Sequence, residues 1–224
     1  MAYITPRQGA EAQAFLDANP DIESVHIVWT DLCGVARGKI LRRDEVVPGW
    51  KDGRFLPISA SVLDVTGQDV PETGLVFDEG DRDLLLWPVP GSMHRVPWMD
   101  VPSAQYIAKL HDLEGAPHYA DPRNALEGIV NRFKADLNMV PVGAVELEFF
   151  LMDRKSALEG HPQAPRALTN EARPQHYQAY LLQDTDDFSP FFKDLYAWCE
   201  QQDLPAKTLI AEYAPGQMEI VLRH

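Results

Sequence analysis

The stretch Val142-Gly143-Ala144-Val145-Glu146-Leu147-Glu148-Phe149-Phe150-Leu151-Met152 constrains this chain more than any other. Its β-branched and aromatic residues favour a strand, yet it carries two glutamates two positions apart. Side chains alternate across a strand, so Glu146 and Glu148 share one face, while Val145, Leu147 and Phe149 share the other. A strand with one wet face accommodates such a pair. If that face is enclosed, two adjacent carboxylates repel each other and each loses hydration, so a compensating cation is required. Hard divalent ions take oxygen ligands, which points to Mg²⁺ or Mn²⁺.

A second segment bears on that choice. Ile210-Ala211-Glu212-Tyr213-Ala214-Pro215-Gly216-Gln217-Met218-Glu219-Ile220 again sets carboxylates among apolar residues. Pro215-Gly216 predicts a turn that folds the chain back and brings Glu212 near Glu219. Four glutamates on two strand-like segments, with few histidines, suit a hard, phosphate-handling ion better than zinc. Chemistry of that kind is usually phosphoryl transfer. A carboxylate-liganded metal hydrolase, needing no ATP, fits the same two segments.

Around these segments the texture is α+β. The pattern predicts a helix over 8–18 and a hairpin of strands 24–30 and 35–41 about the turn 31–34. Further β-rich blocks follow at 58–65, 83–88 and 103–110. Asp121-Pro122 is a helix start, with aspartate as cap and proline at the first position. Leu126, Ile129, Val130, Phe133 and Leu137 then give one apolar stripe. Ser189-Pro190 opens a second amphipathic helix through Phe191, Phe192, Leu195, Trp198 and Cys199. Strands are expected within 140–152 and 208–222, and the proline-bearing stretch 157–180 reads as a moderately mobile excursion. The change of texture predicts two domains, 1–104 and 105–224.

With 34 acidic against 20 basic residues the net charge is −14, which excludes the basic field that nucleic acid or an anionic membrane requires. No run approaches the ~20 apolar residues that span a bilayer, and the first residues lack a signal-type apolar core. Cys33 and Cys199 form no CxxC pair and read as reduced and partly buried, so the chain reads as cytoplasmic. Arg37 and Lys39 are expected on the solvated face of the hairpin, with a phosphate clamp as the other reading. His94, His111, His118 and His161 lack metal-ligand spacing and are expected at the surface, while Trp87 and Trp98 are expected to pack near a domain junction. No glycine pattern of the P-loop or dinucleotide kind occurs.

At the two glutamate segments the chain resembles the glutamine synthetase superfamily. Glu146-Leu147-Glu148-Phe149-Phe150-Leu151 is similar to its E-x-E-F-F-L metal strand, and Glu212 to Glu219 to its E-x-x-P-G-Q-x-E segment. Trp29 to Lys39, residues 83–88, Val96-Pro97-Trp98 and Asp121-Pro122-Arg123 fall where the family has related motifs. The resemblance implies a β-grasp N-terminal domain followed by the beginning of a catalytic half-barrel domain. It implies one divalent ion on Glu148, Glu212 and Glu219 and a second near Glu146, with ATP as co-substrate. The implied reaction forms γ-glutamyl phosphate from glutamate and ATP, and an amine then displaces phosphate. Stacked-ring homo-oligomers with shared active sites are implied as well.

Two departures qualify the resemblance. Leu56-Pro57-Ile58-Ser59-Ala60-Ser61 lacks the aspartate with which ammonia-using members receive ammonium. The texture is closer to the γ-glutamylpolyamine branch, where a diamine such as putrescine replaces ammonia; true glutamine synthesis and a non-catalytic regulatory subunit are the alternatives. The family also continues beyond the segments present here, so catalytic and nucleotide contacts are not assigned, and the isolated chain is expected to be inactive or nearly so.

Overall fold

The computed structural model describes residues 8–78 and 80–224; the first seven residues, in which no signal-type core is expected, lie outside them. The fold is mixed α+β, in two compact units, one reaching Pro141 and the other Val142–His224.

The first unit contains α1 (Gln8–Ala18), β1 (Ser24–Thr30), β2 (Ala36–Arg42), α2 (Arg43–Asp52), β3 (Arg54–Pro57), β4 (Asp83–Pro88), β5 (His94–Arg95), β6 (Ser103–His111) and α3 (Pro122–Leu137). Its sheet runs β2-β1-β6-β4-β3, with β5 also on β6. The β1–β6 pair is parallel and the others are antiparallel. Alternation explains β1: Val25, Ile27 and Trp29 point into the core, where Trp50 of α2 meets Tyr106 of β6 edge-on at 4.9 Å. The texture change at 104/105 falls inside this unit, within β6.

Three local expectations are corrected here. Residues 58–65 do not form a strand; Ile58–Ser61 is a 3₁₀ turn. Its serines satisfy local polar groups instead of a sheet ladder: Ser59 N–H donates to Asp81 at 2.9 Å and Ser61 Oγ to the Ile58 carbonyl at 2.8 Å. His111 and His118 are buried rather than at the surface: His111 meets Trp87 edge-on at 6.3 Å, and His118 packs beside Arg82 and Tyr119. Cys33 is exposed, whereas Cys199 is buried. Helix α2, which contains Pro48, is not signalled by periodicity; Val46 and Trp50, one turn apart and both fully buried, hold it against the core.

Asp121 explains why α3 starts where it does. One carboxylate oxygen accepts Asn124 N–H at 2.7 Å as the helix cap, and the other accepts Leu110 N–H of β6 at 2.8 Å. Asn124 Nδ2 donates in turn to the Leu110 and His118 carbonyls. Asp121→Ala is expected to destabilise this unit by about 2–3 kcal/mol, the sum of a lost cap and a buried amide left unpaired. Amide exchange at Leu110 and Asn124 should quicken, and unchanged exchange at both would contradict the assignment. The predicted stripe of α3 remains open: Leu126 is 65% and Leu137 60% exposed.

The second unit contains β7 (Val145–Phe150), α4 (Arg154–Leu158), α5 (Leu182–Asp187), α6 (Ser189–Gln201), β8 (Ala206–Ala211) and β9 (Gln217–Leu222). Its antiparallel sheet has the order β7-β9-β8. Leu209, Ala211, Met218 and Ile220 form a core with Phe188, Phe192 and Cys199. Within the stretch 157–180, Thr169 and Asn170 each donate to Asp187 at 2.8 Å, and Asp187 also accepts from Gln183 of α5 at 2.8 Å. Among the described residues no helix is long and apolar enough to cross a membrane.

Candidate metal centre

The second sheet sorts its side chains by register. Met218 and Ile220 of β9 enter the core shared with α6, so Gln217 and Glu219 face the opposite way. Across the β7–β9 ladder Glu148 lies directly opposite Glu219, and Glu146 opposite Val221. Glu219 also pairs with Ile210 of β8, two residues before Glu212. Beyond β8 the hairpin continues, Glu212 N–H donating to the Gln217 carbonyl at 2.8 Å. Period-2 alternation therefore puts Glu146, Glu148, Glu212 and Glu219 on one face.

The electrostatics agree with that placement. The Glu219 carboxyl is held above the usual carboxylate range, first by desolvation and then by the charges of Glu146 and Glu212, a hydrogen bond with Glu212, and the charge of Glu148. Like charges directly opposite one another on a sheet are destabilising. The donor set is oxygen only, and a hard divalent cation is the species it fits. Among the described residues, however, no three carboxyl, imidazole or thiol groups stand positioned to hold an ion as they are. The four carboxylates share a face without converging on one point.

The face is also more open than an enclosed carboxylate pair implies. Glu146 and Glu148 are exposed, as are Val145 and Leu147 behind them; only toward the end of β7 does burial set in, where Phe149 meets Phe191 edge-on at 6.3 Å. Along β7 the two glutamates are therefore open to solvent, whereas Glu219 is half-buried.

The turn between Glu212 and Glu219 has a strict requirement. Gly216 adopts φ +79°, and a Cβ there would stand 2.6 Å from the Leu151 carbonyl oxygen and 3.3 Å from Pro165 Cδ. Gly216 O meanwhile accepts Leu151 N–H at 2.7 Å. Only glycine lets the turn approach the end of β7 this closely.

Gln217 is the residue that sequence reasoning passed over. It stands inside the E-x-x-P-G-Q-x-E segment, but an uncharged amide gave no electrostatic signal; its Nε2 donates to Glu148 Oε1. Arg37 and Lys39, the other candidates, are engaged elsewhere. Arg37 Nε donates to Asp31 at 2.9 Å, and Lys39 Nζ donates to the Phe55 carbonyl at 2.6 Å, so each is held by groups of the first unit.

Comparison with known proteins places this geometry in context. Residues 119–224 match the family model described as glutamine synthetase, catalytic domain. The chain is 33% identical over 221 residues to the γ-glutamylputrescine synthetase PuuA of Escherichia coli (strain K12), covering 96% of this chain and 45% of that protein. It is 26% identical over 230 residues to the γ-glutamylethanolamide synthetase GlnA4 of Streptomyces coelicolor, covering 100% of this chain and 48% of that protein. The chain thus spans less than half the length of these relatives. Among solved structures, a GmaS/ADP complex shares the fold with a TM-score of 0.70 at 22% identity, over 95% of this chain and 44% of that one. A glutamine synthetase from Plasmodium falciparum does so at 0.66 and 16% identity, over 100% and 45%.

Proposed function

Since the chain belongs to the glutamine synthetase superfamily, its residues 119–224 matching the catalytic domain, we propose that it forms part of an ATP-dependent ligase that makes a γ-glutamyl amide from glutamate and an alkyl amine. The observation that carries this reading is that Glu146, Glu148, Glu212 and Glu219 share one face of the β7-β9-β8 sheet, with Glu148 directly opposite Glu219. In it, Glu148, Glu212 and Glu219 would hold one Mg²⁺ or Mn²⁺, and Glu146 would help hold a second. Bound there, such ions would supply positive charge to offset that of the phosphate oxygens. The protein's own part is to present the carboxylates from one face of the β7-β9-β8 sheet, where their mutual repulsion favours cation binding over the empty state.

The mixed sheet of the first unit, with its parallel β1–β6 centre, supports reading it as the β-grasp domain. Putrescine-like amines are favoured over ammonium because residues 56–61 carry no aspartate and because two relatives are named as synthetases of γ-glutamylputrescine and γ-glutamylethanolamide. A stacked-ring homo-oligomer in the cytoplasm completes the proposal.

The test is Mg²⁺-dependent phosphate release from ATP and glutamate, with putrescine, ammonium or no amine. It is run on a polypeptide of the relatives' full length that contains this chain. Putrescine is expected to stimulate release at least ~10-fold over no amine, and Glu219→Gln to remove at least ~10²-fold of it, as loss of one preorganised electrostatic group does. Stimulation by ammonium alone would restore glutamine synthesis, and turnover without ATP would favour a metal hydrolase.

A further inference from the structure

Gln217 carries more bonds to the carboxylate face than its uncharged side chain suggests. Its Nε2 donates to Glu148 Oε1 across the β7–β9 pair. Its Oε1 accepts Ala214 N–H at 2.9 Å. Its backbone N–H donates to the Ala214 carbonyl at 2.9 Å, and its carbonyl accepts Glu212 N–H at 2.8 Å. One residue thus ties Glu148 to the turn that begins at Glu212 and leads into Glu219.

The turn itself is closely packed. The Cβ position of Gly216, the neighbour of Gln217, faces the Leu151 carbonyl together with Ala164 and Pro165. The loop bearing Pro165 is fixed in turn, Arg173 Nη1 donating to the Ala164 carbonyl and Asp153 N–H to the Gln163 carbonyl at 2.9 Å. Gln217 therefore reaches Glu148 from an anchored base.

We propose that Gln217 is a positioning residue, whose side-chain amide fixes the orientation of the Glu148 carboxylate and couples it to the Glu212–Glu219 turn. This rests on the metal-centre reading above. An exposed glutamate rotates about three side-chain bonds, and a hydrogen bond to Oε1 fixes the carboxylate plane while leaving Oε2 for a ligand. The amide suits the task better than lysine would, because it donates without adding a positive charge that would compete with a cation.

The test uses this chain, with Mn²⁺ as the probe and the free-ion spin-resonance signal as the readout. Gln217→Met keeps side-chain length and removes both hydrogen-bonding groups. It is expected to weaken Mn²⁺ binding about 10–100-fold, the range for loss of a partner behind a metal ligand. In a Glu148→Gln background the same substitution is expected to cost no more than about twofold, because its effect runs through Glu148. Equal losses in both backgrounds, or no loss in either, would overturn the proposal.

A metal-free readout separates this from the metal-centre reading. The ¹⁵N-detected side-chain amide of Gln217 is expected to shift on Glu148→Ala. An amide indifferent to that substitution would overturn the positioning role whether or not Mn²⁺ binds. A responsive amide in a chain that takes up no Mn²⁺ would uphold the Gln217–Glu148 coupling and defeat the metal-centre reading instead.

Discussion

Replacing Asp31 by alanine is expected to lower the stability of the first unit by about 3–5 kcal/mol, the cost of removing one partner from a buried ion pair. Asp31 is 0% exposed and sits at the hairpin turn between β1 and β2. Its Oδ1 accepts Cys33 N–H at 2.9 Å and Val35 N–H at 2.8 Å, and its Oδ2 accepts Arg37 Nε at 2.9 Å. Removing the carboxylate strands two turn amides and a largely buried guanidinium at once, and Arg37 Nη2 already lacks a partner among the described residues. Asp31→Asn, which keeps one acceptor, should cost less than half as much. Chemical unfolding followed by near-ultraviolet dichroism, which senses Trp29 and Trp50 in this unit, measures both. A loss below about 1 kcal/mol for alanine would place Asp31 among ordinary surface caps.

Gly216→Ala is expected to destabilise the second unit by about 2–4 kcal/mol, combining a left-handed backbone with a backbone clash. The φ of +79° alone disfavours a side chain, and the Leu151 carbonyl 2.6 Å away cannot rotate aside as a flexible side chain would. The β7 end must separate from the turn, breaking the Leu151 N–H to Gly216 O bond at 2.7 Å. Trp198, the tryptophan of this unit, reports the transition by fluorescence. Gly143→Ala provides the contrast: nothing lies within 4 Å of a Cβ there, so the change should be within about 0.5 kcal/mol. Similar midpoints for the two variants would sink the argument from close approach.

Much of the candidate site was legible in the sequence. Glutamates two apart in a strand-forming run must share a face, and a Pro-Gly between two further glutamates must reverse the chain. Those inferences need only the period of a strand and the chemistry of a turn. The start of α3 was legible for the same local reason, since Asp121-Pro122 caps and opens a helix through its own atoms. Where local chemistry competed with periodicity, reading failed: residues 58–61 look like a strand, but Ser61 Oγ donates to the Ile58 carbonyl in a 3₁₀ turn and Ser59 to Asp81.

The sequence by itself determined which residues could face together, because alternation and turn formation are properties of a few consecutive residues. The tertiary structure alone decided three things. It placed Glu148 opposite Glu219, because strand register is a choice between distant segments. It buried His111 and His118 and fixed a helix around Pro48, because burial depends on what packs from elsewhere. And it gave Gln217 its hold on Glu148, 69 residues away, since a hydrogen bond between two strands exists only once the sheet has formed.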